Sequence, residues 1–155
     1  MKSSLKHLEA YCEKQKIRLT EPRKHVYSII ASEKKPIVAY DVLAKLARKM
    51  PNPKPPTAYR AIEFLLEHGF IHRIESLNAY ICCEADHKHT GSQFLICDSC
   101  GTVSEAHLCH VPAPIAAMAA HENFSLTRWN MELHGLCASC SVKAHKHASH
   151  NCACH

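Results

Sequence analysis

Two Cys-x-x-Cys pairs, Cys97/Cys100 and Cys137/Cys140, stand 36 residues apart in this chain and constrain it more than any other feature. Each pair is a short turn whose two sulfurs can converge on one ion, and four thiolates complete a tetrahedral zinc site. Thiolate donors select zinc over magnesium or calcium, which prefer oxygen. An ion held by four protein sulfurs has no open position, so the site reads as structural rather than catalytic. Such an ion would support a small domain whose apolar core alone is marginal. A redox dithiol fits less well, because there are two knuckles and neither opens a helix after a strand in a βαβ pattern.

The chain holds ten cysteines and fourteen histidines in 155 residues. A secreted disulfide scaffold is the competing explanation. Against it stand the long helical segments, the crowding of nine cysteines after position 80, and an opening stretch, MKSSLKHLEAYCEK, that is amphipathic rather than a leader. The expectation is a cytoplasmic protein with reduced thiols, and no stretch reaches the roughly 18 apolar residues of a membrane span. The 19 Lys and Arg against 14 Asp and Glu suit a polyanionic partner without requiring one.

Composition changes near residues 84–90, which divides the chain. The first part, 1–84, reads as helices at 4–16, 21–32, 39–49 and 57–68, followed by β-rich runs at 70–75 and 79–83 joined through Ser76-Leu77-Asn78. That order is the plan of a winged helix-turn-helix. After a hinge at 85–90, residues 91–143 read as strand 93–96, strand 102–107, helix 111–121 and strand 125–133, a small α/β unit. Its helix, PAPIAAMAAH, is apolar enough to need cover, which a second subunit would give. Residues 144–155 read as a mobile His/Cys-rich tail. The fold class is therefore α+β.

In the helix at 57–68, Ala58, Ala61, Ile62 and Leu65 recur at helical spacing and turn Tyr59 and Arg60 away from the core. An aromatic and an arginine early in the last helix of a helix-turn-helix can reach base edges in the major groove. The bland alternative is a core tyrosine beside a solvated arginine. Lys54, Arg23, Lys24 and Arg73 are candidate phosphate contacts. A two-residue turn at Leu77-Asn78 would pair Ser76 with Ala79 and His72 with Cys83, setting the latter two side by side on the wing. His89 in the hinge and Glu105 beyond it could join them in a mixed metal centre tying both units together. Each also has an ordinary explanation: Cys83 as a small hydrophobe, the other three as solvated polar groups.

The segments LTEPRKHVYSII, AYDVLAKL, KPPTAYRAIEFLLEHGFIHRIES, FLICDSCG and HGLCASC, in this order, resemble the ferric uptake regulator superfamily and within it the zinc-responsive regulators. The resemblance runs from about Leu5 to Lys143. It implies a homodimeric repressor, not an enzyme, that binds palindromic operator DNA when zinc fills a regulatory site. It also implies at least two zinc ions per subunit: Cys97, Cys100, Cys137 and Cys140 would hold a structural one, and His72, Cys83, His89 and Glu105 a regulatory one. His87 is the alternative hinge ligand. Tyr59 and Arg60 match the base-contacting positions. A family signature, Thr-Pro-Gln-Arg, stands here as Thr20-Glu21-Pro22-Arg23, which bears on where the second helix starts. Rival readings are an iron, manganese or peroxide sensor on the same scaffold, and a zinc-ribbon adaptor that binds no DNA. Cys83 favours zinc over iron, and a deaminase or zinc-protease signature is missing.

Overall fold

The computed structural model describes residues 5–83, 91–106 and 110–148. Helices α1 (Leu5–Lys14), α2 (Glu21–Ser32), α3 (Ala39–Leu46) and α4 (Pro55–Glu67) precede a sheet made of β1 (Ile37–Val38), β2 (Ile71–Ile74) and β3 (Ala79–Cys82). A second sheet contains β4 (Gly91–Cys97), β5 (Val103–Glu105) and β6 (Trp129–Gly135), with α5 (Ala113–His121) between β5 and β6 and α6 (Ala138–Ala148) last. No helix of the described residues is long and apolar enough to cross a membrane.

The second helix runs over the expected residues because Pro22, which lacks an N–H, is harmless in a first turn. Val26, Tyr27, Ile29 and Ile30 from its inner face meet Leu8, Val42, Leu46, Ala61, Ile62 and Leu65 in one buried core. Helix α4 ends at Glu67 with His68 as its cap, and Gly69 at φ +75° turns the chain into the wing. There the Gly69 N–H donates to the Leu66 carbonyl and the Phe70 N–H to the Leu65 carbonyl, the paired bonds of a Schellman stop. Helix α4 and the wing thus meet through a fixed joint, with Phe70 and Leu65 packed in the same core.

The first sheet has the order β1-β3-β2, all antiparallel. Its hairpin departs from the expected register: His72 lies opposite Ile81, not Cys83, and Ile74 opposite Ala79. The turn takes four residues, Glu75 to Asn78, closed by the Asn78 N–H donating to the Glu75 carbonyl, with Asn78 at φ +46°. A two-residue shift keeps every side chain on its face, because strands alternate with period two. The hairpin is consequently two-faced. Ile71, Tyr80 and Cys82 join the helical core, while Ile74 and Ile81 pack against Phe94, Ile96 and Val103 of the second sheet.

In the second sheet, β4 is central, antiparallel to β5 and parallel to β6. The last strand begins four residues later than expected and ends two later. Two elements lie outside the sequence reading: β1, two residues that exist by pairing with the edge of β3, and α6, which carries helical backbone through Ala148 where a mobile tail was expected from 144. Helix α5 buries only Ala119 within this chain, leaving Met118 and the following Phe124 each 64% exposed.

An added Cβ at Gly69 meets nothing within 4 Å, so a substitution there strains only the backbone. Gly69→Ala is expected to cost about 1–2 kcal/mol, the penalty for a left-handed L-residue. Urea unfolding checks this, and unchanged stability would contradict the joint.

Candidate metal centres and nucleic-acid interface

The parallel β4–β6 pairing brings the two knuckles together. Cys97 is in register with Gly135, so both strands end at the same edge and each runs directly into a Cys-x-x-Cys. The first knuckle is the tight β4–β5 turn: the Cys97 N–H donates to the Thr102 carbonyl, the Gly101 N–H to the Cys97 carbonyl, and Gly101 takes φ +70°. The second is the first turn of α6, where the Cys140 and Ser141 N–H groups donate to the Cys137 carbonyl. The sulfurs of Cys97, Cys100, Cys137 and Cys140 all lie within 4.8 Å of one another. Cys100 Sγ and Cys137 Sγ are 3.8 Å apart. A zinc–sulfur bond of about 2.3 Å gives a tetrahedral edge of about 3.8 Å, so the set fits that ion.

Electrostatics point the same way. The Cys137 N–H, which donates to Cys97 Sγ over 3.3 Å, and the backbone of Cys100 pull the Cys97 thiol down to about 6. The Thr102 side chain, with Oγ1 3.2 Å from Cys100 Sγ, lowers the Cys100 thiol. At Cys140 the Ser99 side chain favours the thiolate, but the Cys137 sulfur, burial and the other two sulfurs outweigh it and push the thiol up to about 11. Four thiolates this close repel, and a divalent cation is what allows them all to ionise. The Lys35 ammonium, from the loop before β1, donates to the Cys100 carbonyl over 2.6 Å and links the helical half to this centre.

A second cluster joins the wing to the second sheet. His72, Cys83 and Glu105 each place a ligand atom within 4.8 Å of the others. The observed register explains how. The Cys83 N–H donates to the Phe70 carbonyl, so Cys83 sits diagonally from His72 on the wing face that packs on β4 and β5. Glu105 is opposite Phe94, on the sheet face that receives the wing, and its Oε1 is 3.1 Å from His72 Nε2. The Phe94 ring meets the His72 ring edge-on at 5.6 Å and shields it. Burial disfavours the imidazolium, but bonding to Cys83 and Glu105 overrides it and raises His72 to about 9. The cluster gathers an imidazole nitrogen, a soft sulfur and a hard carboxylate oxygen, a donor set that suits a zinc ion. Cys82 points the other way, with its sulfur 3.8 Å from the Tyr27 hydroxyl. His89 and His87 lie outside the described residues.

Tyr59 is 50% exposed and Arg60 is also exposed, early on α4. Of the candidate phosphate contacts, Lys54 and Arg73 are exposed, Arg73 while pairing with Glu75 at 3.3 Å and donating to Asn78 Oδ1 at 3.0 Å, and the other two are partly buried and engaged within the fold. Arg23 lies 3.7 Å from the centre of the Phe64 ring and donates to the Arg18 carbonyl; Lys24 pairs with Glu9 at 3.1 Å. Sequence reasoning missed Glu132, whose carboxylate accepts the Glu75 N–H at 2.7 Å and the Ser76 N–H at 3.1 Å. No spacing signal marks it, since its reach to the wing depends on the register of β6.

Residues 14–134 match the ferric uptake regulator family. The zinc uptake regulation protein of Escherichia coli (strain K12) is 40% identical over 146 residues, covering 92% of this chain and 85% of that protein. A solved structure of a zinc uptake regulator complexed with zinc and DNA superposes with a TM-score of 0.82 at 41% identity, over 90% of this chain and 95% of that one. The holo form of XcZur, 35% identical, covers 92% of this chain and 99% of its own with a TM-score of 0.82; the apo form, also 35% identical, reaches 0.50 over 88% and 95%. At equal identity the chain thus superposes more closely on the holo form than on the apo form. The chain belongs to the ferric uptake regulator family.

Proposed function

We propose that the protein is a zinc-responsive transcriptional repressor, with zinc as corepressor enabling a homodimer to bind palindromic operator DNA and repress zinc-uptake genes. The observation that carries this reading is the position of the His72, Cys83 and Glu105 cluster, with two ligands on the wing and one on the second sheet. A ligand shifts a conformational equilibrium only by its differential affinity for the two states. An ion bound across this junction favours the arrangement in which both sets of ligands meet, and so sets the direction of α4.

In this reading Cys97, Cys100, Cys137 and Cys140 hold a structural zinc, and His72, Cys83 and Glu105, with His89 from the hinge, hold the regulatory one, giving two ions per subunit. Tyr59 and Arg60 read bases, and Lys54 and Arg73 meet phosphates. The apolar surface of Leu95, Leu133, Met118 and Phe124, exposed in the single chain and carried by the second sheet and the α5 region, is the dimer contact. Residues 1–84 act as the DNA-binding unit and 91–143 as the dimerisation unit, in the cytoplasm.

Three outcomes follow. Cys83→Ser should leave a folded dimer whose DNA binding no longer responds to zinc; a retained response in a mobility-shift titration would contradict the regulatory assignment. Cys97→Ser should instead lower the melting temperature steeply, since structural zinc contributes on the order of 10 kcal/mol in small domains; unchanged thermal unfolding would contradict the structural assignment. Below about 9, zinc must displace a proton from His72. Zinc affinity at this centre should therefore weaken about tenfold per unit as the pH falls from 8 to 7. Calorimetric titration at the two values checks the slope, and equal affinities would contradict it.

A further inference from the structure

On the sheet face that receives the wing, three residues stand in a row across the strands: Glu105 on β5, Phe94 on β4 and Glu132 on β6, set by the registers Phe94↔Glu105 and Phe94↔Glu132. Phe94 is fully buried against Ile74 of the wing. The two carboxylates flank it and reach the wing at different points. Glu105 meets His72, within strand β2. Glu132 meets the tip, where Oε1 accepts the Glu75 N–H at 2.7 Å and Oε2 the Ser76 N–H at 3.1 Å. The Asn130 side-chain amide donates to Glu132 Oε1 at 3.4 Å and steadies the carboxylate from its own strand. Burial opposes the charged form, but the Ser76 side chain and the Ser76 and Glu75 N–H groups hold the carboxyl below its ordinary value.

Successive backbone N–H groups in a turn form a small anion-binding concavity, and here its occupant comes from the other half of the molecule. The apolar contact between wing and sheet is small: Ile74, Phe94, Ile96 and Val103, with Ile81 beside them. Apolar contact is non-directional, so it leaves orientation to polar fasteners. The Lys35 contact beside β1 and the fastener at His72 leave the hairpin tip itself unheld; a further one at the tip fixes it.

We propose that Glu132 is a positioning residue for the zinc response: a metal-independent anchor on the wing turn that presets the junction so that His72, Cys83 and Glu105 meet around the ion. This rests on the repressor reading above and deepens it. Apparent affinity scales with the fraction of molecules already in the binding-competent arrangement. Removing the anchor lowers that fraction without touching a metal ligand or Tyr59 and Arg60.

The test uses the full chain and an operator fragment selected from a random double-stranded pool with the wild-type protein. DNA binding is measured in zinc buffers for wild type, Glu132→Ala and Glu132→Gln. Loss of two charge-assisted hydrogen bonds should raise the zinc concentration for half-maximal binding at least about tenfold in Glu132→Ala, with wild-type DNA affinity recovered at saturating zinc. Glu132→Gln, which keeps one acceptor for the turn, should show a smaller shift. A Glu132→Ala midpoint coinciding with wild type overturns the proposal while leaving the zinc response standing. Weakened DNA affinity at saturating zinc with an unmoved midpoint also overturns it, assigning Glu132 to the fold or the DNA surface. If the wild-type protein itself binds DNA regardless of zinc, the repressor reading fails and the proposal fails with it.

Discussion

The parallel pairing of β4 with β6 organises everything downstream of the wing. Parallel strands need a crossover, and α5 lies on that connection. Because both strands finish at one edge, Cys97 and Cys137 leave the sheet side by side, and four sulfurs separated widely in sequence come within reach of one ion. The same register aligns Glu105, Phe94 and Glu132 across the three strands, so it also builds the surface on which the wing rests. A sheet of three strands with little apolar cover is weak on its own, and a metal at its edge is the economical way to hold it.

The hairpin then acts as a shared wall. Alternation along β2 and β3 sends Ile71, Tyr80 and Cys82 into the helical core and Ile74, Ile81 and His72 toward the second sheet. Since Gly69 and the Schellman bonds lock the wing to α4, any force that orients the wing orients the helix bearing Tyr59 and Arg60. In the proposed reading, sensing and DNA reading are thereby coupled through backbone geometry over a short path. By linkage, DNA that favours this arrangement must tighten the ion that stabilises it.

How much of this was legible in the sequence depended on whether the signal was local. Helix α2 could be read with its observed bounds because Pro22 and the spacing of Val26, Tyr27, Ile29 and Ile30 are local. The four cysteines were legible because their spacing states their chemistry. The wing register was misread by two residues, since Asn78 closes a four-residue turn where two residues sufficed on paper; even parity kept His72 and Cys83 on one face. Glu105 carried no mark of its own, and spacing alone would not have singled it out. Glu132 and strand β1 were illegible because each is defined by a partner distant in the chain. The helical backbone of 144–148 was hidden by a composition that reads as low in complexity.

The central claim is that one ion is built into the fold and a second decides whether DNA is bound. The measurement that tests it most directly counts bound zinc per subunit while operator binding is followed across a buffered zinc series, with iron(II) and manganese(II) run in parallel. The account predicts no operator binding with one zinc per subunit and tight binding as the second fills, with zinc acting at far lower free concentration than the other two metals. Full operator binding at one zinc per subunit, or an equal response to iron(II), would contradict it.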